Sequence, residues 1–264
     1  MKAAIIGAGA MGSAIARGLI ATVPAFLEAP ADLCVANPTP GKLDPLTRSG
    51  ACTTSSDTEA VRGASLVILC VKPWLVEQVI SEIKDHIDYS SAEIAVVAAQ
   101  VSISDLRTWL HKDSAPELPS FCIAMPNTAV STLRSMTFIV NGSGPCHLAT
   151  QAFSLLGETM EIEEKLLPAA TSLASCGIAY AMRYIRAAVE GGVELGVRPQ
   201  LAQKMVLQTL IGAASLLSAP GSHPESEIDK VTTPGGLTIR GLNAMEHSGF
   251  TSAVINGLKA STPQ

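Results

Sequence analysis

The sequence predicts an α/β protein, with an N-terminal parallel-sheet domain followed by an all-helical C-terminal domain. Up to about residue 160, short apolar runs typical of buried strands alternate with segments of helical period, which favours a parallel sheet with right-handed crossovers. A glycine-rich turn directly follows the first apolar run. From residue 166 onward, strand-like runs give way to long helical segments rich in Ala, Gly and Leu.

The strand candidates are short apolar runs bounded by turn-forming residues. The run at residues 66–71, LVILCV, is apolar throughout, as expected of a parallel strand that is covered on both faces. The six predicted strands are residues 3–6, 33–36, 66–71, 94–98, 120–124 and 136–140.

The helix candidates carry apolar residues at helical spacing, and Ser102 or Ser104 is a candidate N-cap for one of them. In the first half these helices are residues 11–20, 76–87 and 104–110, and in the second half they are 168–196, 200–218, 225–230, 237–246 and 251–259. We place the boundary near residue 160, which divides the chain into domains 1–160 and 161–264.

Composition narrows the class of protein. The 264 residues are 47% hydrophobic and only 16% charged, which excludes an intrinsically disordered chain. A net charge of −5 without any Lys/Arg run argues against a nucleic-acid-binding surface. No apolar stretch approaches the ~18 residues of a membrane span, and the N-terminal run leaves no room for a signal peptide. We therefore expect neither nucleic acid nor membrane as a partner.

The cysteines indicate the compartment. Six cysteines are scattered along the chain without a CxxC pair or metal-ligand spacing, and several lie in apolar runs. Small buried thiols of this kind are typical of a reducing compartment. We expect a cytoplasmic protein with no bound metal.

The first glycine turn predicts a dinucleotide site. Residues 7–12, GAGAMG, fit the pattern GxGxxG between a strand and a helix, with a second strand ending about 20 residues later. In this pattern Gly7 permits a tight turn, Gly9 lets a pyrophosphate approach the backbone, and Gly12 lets the helix pack closely on the strand. The helix N-terminus then offers N–H groups to the phosphates. The alternative is a strand-to-helix turn without a ligand. The N-terminal domain is therefore interpreted as Rossmann-type.

The end of the second predicted strand bears on cofactor preference. Asn37 stands where NAD enzymes often carry Asp or Glu, and unlike a carboxylate it does not repel a 2′-phosphate. Thr39 and Lys42 follow within reach. These residues favour NADP(H) over NAD(H), although residues 37–41 also fit a simple turn.

A second glycine turn precedes a predicted helix near the C-terminus. Pro234, Gly235 and Gly236 lie just before residue 237, where successive backbone N–H groups can form a concave anion site. Thr238 adds a hydroxyl that donates and accepts. The turn suits a small carboxylate, and the alternative is an interhelix loop with a Thr N-cap.

The long helical segments predict self-association. Between residues 168 and 218 they are apolar around most of their circumference, which is typical of helices buried on all sides. A helical half of ~100 residues cannot easily bury them alone. We expect a dimer or a larger homo-oligomer.

Several segments together resemble one family. Residues 71–73 read VKP, residues 125–128 read MPNT, and residues 229–246 read DKVTTPGGLTIRGLNAME, followed by Gly249-Phe250. With the GAGAMG opening, they resemble pyrroline-5-carboxylate reductase over nearly the whole chain. The sequence departs from the family at Ile123, usually Arg, at Ala129, usually Pro, and at Gln100, usually Gly. Residues 174–180, ASCGIAY with Cys176, replace the family's SGSGPAY.

The resemblance implies an enzyme that moves a hydride from a nicotinamide to the C=N carbon of a cyclic imine carboxylate, giving L-proline in the last step of proline biosynthesis. It implies that Thr238 is catalytic and hydrogen-bonds the ring nitrogen, while backbone N–H groups from Gly235 to Thr238 bind the carboxylate. It also implies an intertwined dimer whose active site lies between the first domain of one subunit and the C-terminal turn of another. The implied substrate-binding residues are Thr233, Pro234, Gly235, Gly236, Leu237 and Thr238. The implied cofactor-binding residues are Gly7, Ala8, Gly9, Ala10, Met11, Gly12, Asn37, Thr39, Lys42, Val71, Lys72, Pro73, Met125, Pro126 and Asn127.

Alternatives stay open for single residues and for the function. Lys72 either approaches the cofactor or is a solvated lysine before a structural proline, and Asn127 is either a pocket residue or a turn-fixing amide. The alternative functions are an NADP-linked imine reductase, a 3-hydroxyacid dehydrogenase, or a non-catalytic nucleotide-binding protein. The acid dehydrogenases commonly use a Lys on the first long C-terminal helix, and residues 168–196 contain none.

Overall fold

The computed structural model describes residues 1–115 and 117–262, and the chain divides into two compact units, Met1–Ser175 and Cys176 onward. The first unit contains the sheet, and the second consists of helices. The α/β fold predicted from the sequence is therefore confirmed. The domain boundary near residue 160 stays a prediction.

The first unit is built on one sheet. In the described part of the chain its eight strands are β1 (Ala3–Ile6), β2 (Leu33–Ala36), β3 (Cys52–Thr54), β4 (Leu66–Leu69), β5 (Glu93–Val96), β6 (Ser120–Met125), β7 (Ser135–Asn141) and β8 (Gly157–Glu161). Their order across the sheet is β3-β2-β1-β4-β5-β6-β7-β8. Neighbouring strands run parallel except β6 and β7, which are antiparallel.

Two strands and one strand direction differ from the sequence prediction. The sequence pattern does not predict β3 and β8, because these edge strands read CTT and GETME and contain no apolar run. β7 was expected to be parallel but pairs antiparallel with β6. The connecting segment, residues 126–134, is shorter than the crossover of a dozen or more residues that a parallel pair requires.

Helices cover both faces of the sheet. In the first unit they are α1 (Ala10–Ala21), α2 (Asp44–Arg48), α3 (Asp57–Ala60), α4 (Val76–Ile83), α5 (Ile103–Trp109), α6 (His147–Ser154) and α7 (Leu167–Thr171). The Ser102 hydroxyl caps α5 by accepting the Asp105 N–H at 3.0 Å, which decides between the two cap candidates. The helix expected at 76–87 ends earlier, since α4 passes into a 3-10 turn at Lys84–His86.

The core consists of two apolar layers, one on each side of the sheet. Alternate residues of β1 point to opposite faces, so Ile5 packs with α1, α2 and α6, whereas Ile6 packs with α3, α4 and α5. Every residue of β1 and β4 is buried. Helices on both faces therefore leave the strand ends as the place where a ligand can reach the sheet.

The second unit contains α8 (Gly177–Glu194), α9 (Pro199–Leu217), α10 (Pro224–Val231), α11 (Leu237–His247) and α12 (Phe250–Ala260). The single helix expected at 168–196 is wrong: the structure has α7, a π-helical turn at Ser172–Cys176, and then α8. One helical period runs through all three segments, so the sequence pattern does not reveal the interruption.

Much of the apolar surface of the second unit faces solvent. Leu195 is 86% exposed and Ile211 is 59% exposed, on or beside helices whose sequence is apolar on most sides. Large exposed apolar patches of this kind mark interaction surfaces. Within residues 1–115 and 117–262, none of the helices combines the length and the apolar character needed to cross a membrane.

Candidate functional site

The first glycine turn has no space for side chains at two positions. Gly7 adopts a left-handed φ of +102°, and a Cβ there would stand 2.7 Å from the carbonyl oxygen of Cys70. A Cβ on Gly12 would stand 1.9 Å from the carbonyl oxygen of Gly7. Both atoms that it would meet belong to the backbone, so neither glycine can be replaced without moving the turn.

The second glycine of the motif, Gly9, faces open space. In the described part of the chain, a Cβ added to Gly9 would meet no heavy atom within 4 Å. Gly9 is the N-cap of α1, and the first turn of α1 carries no acidic residue. The first N–H groups of a helix lack intrahelical partners and lie at the positive end of its dipole. The pyrophosphate of a dinucleotide fits this position, which a side chain at residue 9 would cover.

The turn opens into a cavity of about 450 Å³ at the carboxyl ends of β1, β2, β4 and β5. A second cavity of about 570 Å³ lies beside it and shares some of its residues. Of the predicted cofactor residues, those lining the first cavity are Gly7, Gly9, Ala10, Met11, Asn37, Lys42, Val71 and Lys72. Those that do not line it are Ala8, Gly12, Thr39, Pro73, Met125, Pro126 and Asn127. The lining residues that were not predicted from the sequence are Ile6, Pro38, Asp57, Cys70, Leu75 and Val97.

Asn37 uses its amide to hold the glycine turn. Its Oδ1 accepts the N–H of Ala8 at 3.1 Å, and its Nδ2 donates to the carbonyl oxygen of Thr39 at 3.2 Å. Its own N–H donates to the carbonyl oxygen of Thr54 at 3.2 Å. Asn37 is buried at the end of β2, and its backbone N–H holds the end of β3 while its side chain holds the turn that begins α1. Asn37 thus shapes the local turn and also lines the cavity, and the cofactor preference stays a prediction.

Two lysines and one aspartate line the first cavity. Lys42 and Lys72 are exposed, and the ammonium group of Lys72 lies 6.0 Å from the ring centroid of Trp74. Asp57 is the first residue of α3 and is half-buried. Burial raises the pKa of the Asp57 carboxyl above its usual value, and the Glu82 carboxylate raises it further. Lys42 and Lys72 are therefore the positively charged side chains that line this cavity.

A helix-capping pattern in the sequence indicates that Asp57 lies at the start of a helix. Residues 56–59 read SDTE directly after β3, and the Ser56 hydroxyl accepts the Glu59 N–H at 3.2 Å. A Ser followed three residues later by Glu is typical of a helix start. A helix that begins at the end of a strand places its first turn at the ligand-binding edge of the sheet.

Asn127 lies outside the cavity and fixes the turn after β6. Its Oδ1 accepts the N–H of Ala129 at 3.0 Å, and its Nδ2 donates to the carbonyl oxygen of Ala174 at 3.2 Å. Its backbone N–H donates to the Ser135 hydroxyl at 3.1 Å. The amide thus ties the end of β6 to the π-helical turn, which favours the turn-fixing interpretation of Asn127.

Replacing Asn127 with Ala is expected to lower the free energy of unfolding by about 2–3 kcal/mol, because two half-buried backbone groups lose their partners. Urea denaturation measures the change. Asn141→Ala is the matched comparison, since the half-buried Asn141 carboxamide accepts one backbone N–H, from Cys146. A loss at position 127 no larger than that at position 141 contradicts the assignment.

The second glycine turn is a type II β-turn. The N–H of Gly236 donates to the carbonyl oxygen of Thr233 at 2.9 Å, and Gly235 has a φ of +70°. Pro234 occupies the second position, where its fixed φ suits this turn type. α11 begins directly afterwards, with Gly236 as its N-cap. The predicted helix start at residue 237 is confirmed.

The second turn presents its groups to solvent. Thr233, Pro234, Gly235, Leu237 and Thr238 are exposed, and Gly236 is half-buried. A Cβ on Gly236 would stand 2.5 Å from the Thr233 hydroxyl oxygen, so glycine keeps the turn compact. The Thr238 hydroxyl therefore lies in the first turn of α11, beside the N–H groups of a helix N-terminus.

The structure explains one departure from the family pattern, at Ile123, and at Gln100 it explains the usual glycine rather than the glutamine. Ile123 is fully buried in β6 and pairs with Val96 and Val140, so an apolar residue fits this position. Gln100 adopts a left-handed φ of +63°, which glycine reaches without the cost of about 1–2 kcal/mol that other residues incur.

Family models and solved structures of other proteins resemble this chain. Residues 164–264 match the family model described as pyrroline-5-carboxylate reductase dimerisation, and residues 2–99 match the one described as NADP oxidoreductase coenzyme F420-dependent. Solved structures of similar fold include pyrroline-5-carboxylate reductases from Coxiella burnetii, with a TM-score of 0.86 and 26% identity, and from Streptococcus pyogenes, with 0.82 and 28%. These alignments cover 98% and 99% of this chain and 95% and 96% of those chains, respectively.

Relatives with greater sequence identity carry the same name. Pyrroline-5-carboxylate reductase 1 of Dictyostelium discoideum is 38% identical over 98% of this chain, which spans about half (48%) of that protein's length. Pyrroline-5-carboxylate reductase 2 of the same organism is 36% identical, and the match covers 97% of this chain and 89% of that protein. The Arabidopsis thaliana pyrroline-5-carboxylate reductase is 31% identical over 98% of this chain and 92% of its own length. Since these matches span nearly the whole chain and include both glycine turns, the chain belongs to the pyrroline-5-carboxylate reductase family.

Proposed function

We propose that the chain reduces L-1-pyrroline-5-carboxylate to L-proline, with the hydride supplied by a nicotinamide cofactor, NADPH in preference to NADH. One observation carries the proposal: a type II turn presents the start of α11 and the Thr238 hydroxyl side by side in solvent. A helix N-terminus attracts a carboxylate, and a neighbouring hydroxyl can hydrogen-bond a ring nitrogen. The substrate carries both groups.

The cofactor supplies the hydride, and the first unit supplies the groups that hold it. The N–H groups at the start of α1 bind the pyrophosphate next to Gly9, where the backbone is open. Asn37 keeps the turn in place through Ala8. Lys42 and Lys72 add positive charge at the cavity. Binding at this edge of the sheet follows the general rule for open α/β sheets.

The second unit supplies the groups for the substrate. The N–H groups of Gly235, Leu237 and Thr238 bind the carboxylate, because the Gly236 N–H already donates to Thr233 within the turn. Binding of the carboxylate turns the ring so that its nitrogen meets the Thr238 hydroxyl. Hydride adds to the carbon of the protonated imine, the electron pair of the broken π bond stays on nitrogen, and the nitrogen keeps its proton. The N–H of the protonated imine donates to the Thr238 hydroxyl oxygen, which orients the C=N bond, so the protein acts chiefly through positioning.

The preference for NADPH rests on Lys42, because no carboxylate follows β2 at Asn37. Lys42→Ala is expected to weaken NADPH binding about tenfold, the cost of one charge-assisted contact, while NADH binding changes less than threefold. Fluorescence titration of both cofactors measures the two dissociation constants. Lys204→Ala, on α9 in the second unit, is the control. Equal losses for NADPH and NADH contradict a role for Lys42 at the 2′-phosphate.

The activity is tested with the purified full chain, pyrroline-5-carboxylate and either NADPH or NADH, followed at the nicotinamide absorbance. We expect turnover with both cofactors and a higher kcat/KM with NADPH. Parallel assays with an acyclic imine and a 3-hydroxyacid test the alternative enzymes, and α8 contains no lysine for an acid dehydrogenase. Absence of turnover with pyrroline-5-carboxylate contradicts the proposal.

The second unit matches a dimerisation family, and its apolar surface supports self-association. A groove of about 690 Å³ lies between α8 and the helices α11 and α12, with Tyr184 and Phe250 in edge-to-face contact beside it. Light scattering after size-exclusion chromatography is expected to give at least twice the 27.3 kDa mass of one chain. A monomer of that mass at micromolar concentration contradicts this expectation.

The free cysteines support a cytoplasmic location.

A further inference from the structure

The fold brings two cysteines together that are far apart in the sequence. Cys34 in β2 and Cys52 in β3 are direct partners in the parallel ladder, and their Sγ atoms lie 3.2 Å apart. Neighbouring strands are about 4.8 Å apart, which falls within the range of about 4.4–6.8 Å between the Cα atoms of disulfide-linked cysteines. A bond of about 2.05 Å therefore requires the sulfur atoms to approach by only about 1.1 Å.

The two thiols differ in exposure. Cys52 is exposed on β3, at the edge of the sheet. Cys34 is half-buried and packs against the apolar layer on the face of the sheet that α3, α4 and α5 cover. Burial raises the pKa of the Cys34 thiol to about 12, and its hydrogen bond to Cys52 contributes. Cys34 is therefore protonated at neutral pH, and Cys52 is the thiol that meets a dissolved oxidant first.

We propose that Cys34 and Cys52 are a redox modification site, which a peroxide converts reversibly into a disulfide across β2 and β3. The Cys52 sulfur attacks hydrogen peroxide, the O–O bond breaks, and a sulfenic acid and one water form. The Cys34 sulfur then attacks the Cys52 sulfur, and the sulfenic oxygen leaves as a second water with the Cys34 proton. In total two thiols lose two electrons and two protons, and one peroxide becomes two waters.

A second pair of cysteines provides an internal comparison. Cys122 in β6 hydrogen-bonds Cys146, directly before α6, and both are buried with exposures of 0% and 1%. A dissolved peroxide reaches Cys52 and is excluded from this pair by packing. The thiols lie close together in both pairs. If only Cys34 and Cys52 are oxidised, the difference is therefore due to the accessibility of Cys52.

The experiment treats the full native chain with a few equivalents of hydrogen peroxide, blocks free thiols and maps the unreduced tryptic peptides by mass spectrometry. Trypsin cuts after Lys42 and Arg48, so the two cysteines lie on separate peptides. We expect peptides 18–42 and 49–62 to be joined, two hydrogens lighter than their sum, and to separate on treatment with dithiothreitol. Cys122 and Cys146 are expected to remain as thiols.

Two variants separate this chemistry from nonspecific oxidation. Cys52→Ser is expected to abolish the linked peptide and to retain the circular dichroism spectrum, since residue 52 is exposed on an edge strand. Cys34→Ser removes the resolving thiol, so sulfinic acid is expected to accumulate on Cys52 at least about tenfold above the wild-type level. Equal sulfinic acid in the wild type and Cys34→Ser, or a Cys122–Cys146 link that forms first, overturns the proposal.

Discussion

Gly12→Ala is expected to lower stability and Gly9→Ala to weaken NADPH binding, although the two glycines belong to one motif. Gly12→Ala is expected to destabilise the fold by about 3 kcal/mol, because its Cβ would lie 1.9 Å from the Gly7 carbonyl oxygen and backbone must move. A loss of this size lowers Tm by about 6–12 °C in a chain of this length. Thermal unfolding followed by circular dichroism measures it.

Gly9→Ala is expected to leave Tm unchanged, because its Cβ meets no heavy atom within 4 Å among the described residues. Its methyl group would instead occupy the approach to the N–H groups of α1, and NADPH binding is expected to weaken at least about tenfold, or 1.4 kcal/mol. Each variant is the control for the other. If Gly9→Ala binds NADPH as tightly as the wild type, the pyrophosphate does not bind at this turn.

Thr238→Ala is expected to lower kcat/KM for pyrroline-5-carboxylate by about 10- to 150-fold while the NADPH dissociation constant stays the same. The range corresponds to the 1.5–3 kcal/mol of a hydrogen bond to a charged group, such as a protonated imine nitrogen. Steady-state kinetics measures the first quantity, and fluorescence titration the second. Thr238→Ser keeps the hydroxyl and is expected to recover most of the activity.

Thr251→Ala is the matched control for Thr238→Ala. Thr251 is also an exposed residue in the first turn of a helix, α12, and its hydroxyl donates to the Glu246 carboxylate at 2.7 Å. We expect its kcat/KM to change less than about threefold. An unchanged kcat/KM in Thr238→Ala, with Thr251→Ala also unchanged, removes Thr238 from the catalytic site and leaves it as a helix-start residue.

The strands that can be predicted from the sequence are those whose apolar residues are buried on both faces of the sheet. The run at β4 is apolar because both faces of that strand are covered, so composition alone reveals the strand. β3 and β8 were missed because edge strands tolerate polar residues. The antiparallel direction of β7 follows from a short connection rather than from its own residues.

In the candidate site too, residues in local motifs were predicted, and residues placed by strand order were not. Both glycine turns were identified from sequence, because each requires glycine at positions where backbone lies close or φ is positive. Val97 was missed, since it reaches the cavity through strand order and carries no motif of its own. Asp57 was missed although the capping signal at residues 56–59 places it at a helix start. Asn127 was expected beside the cofactor on the strength of its motif, and the structure instead uses its amide to tie β6 to the turn before α8.

The alternating α/β half, the helical half and the two turns can be predicted from the residues alone, because helix period, strand composition and glycine stereochemistry are local properties. Which groups share a site depends on the packed fold. It placed Lys42, Asp57 and Lys72 around one cavity, and it paired Cys34 with Cys52 across neighbouring strands. Such contacts depend on strand order and register, which arise from packing of the whole sheet and cannot be read from local periodicity.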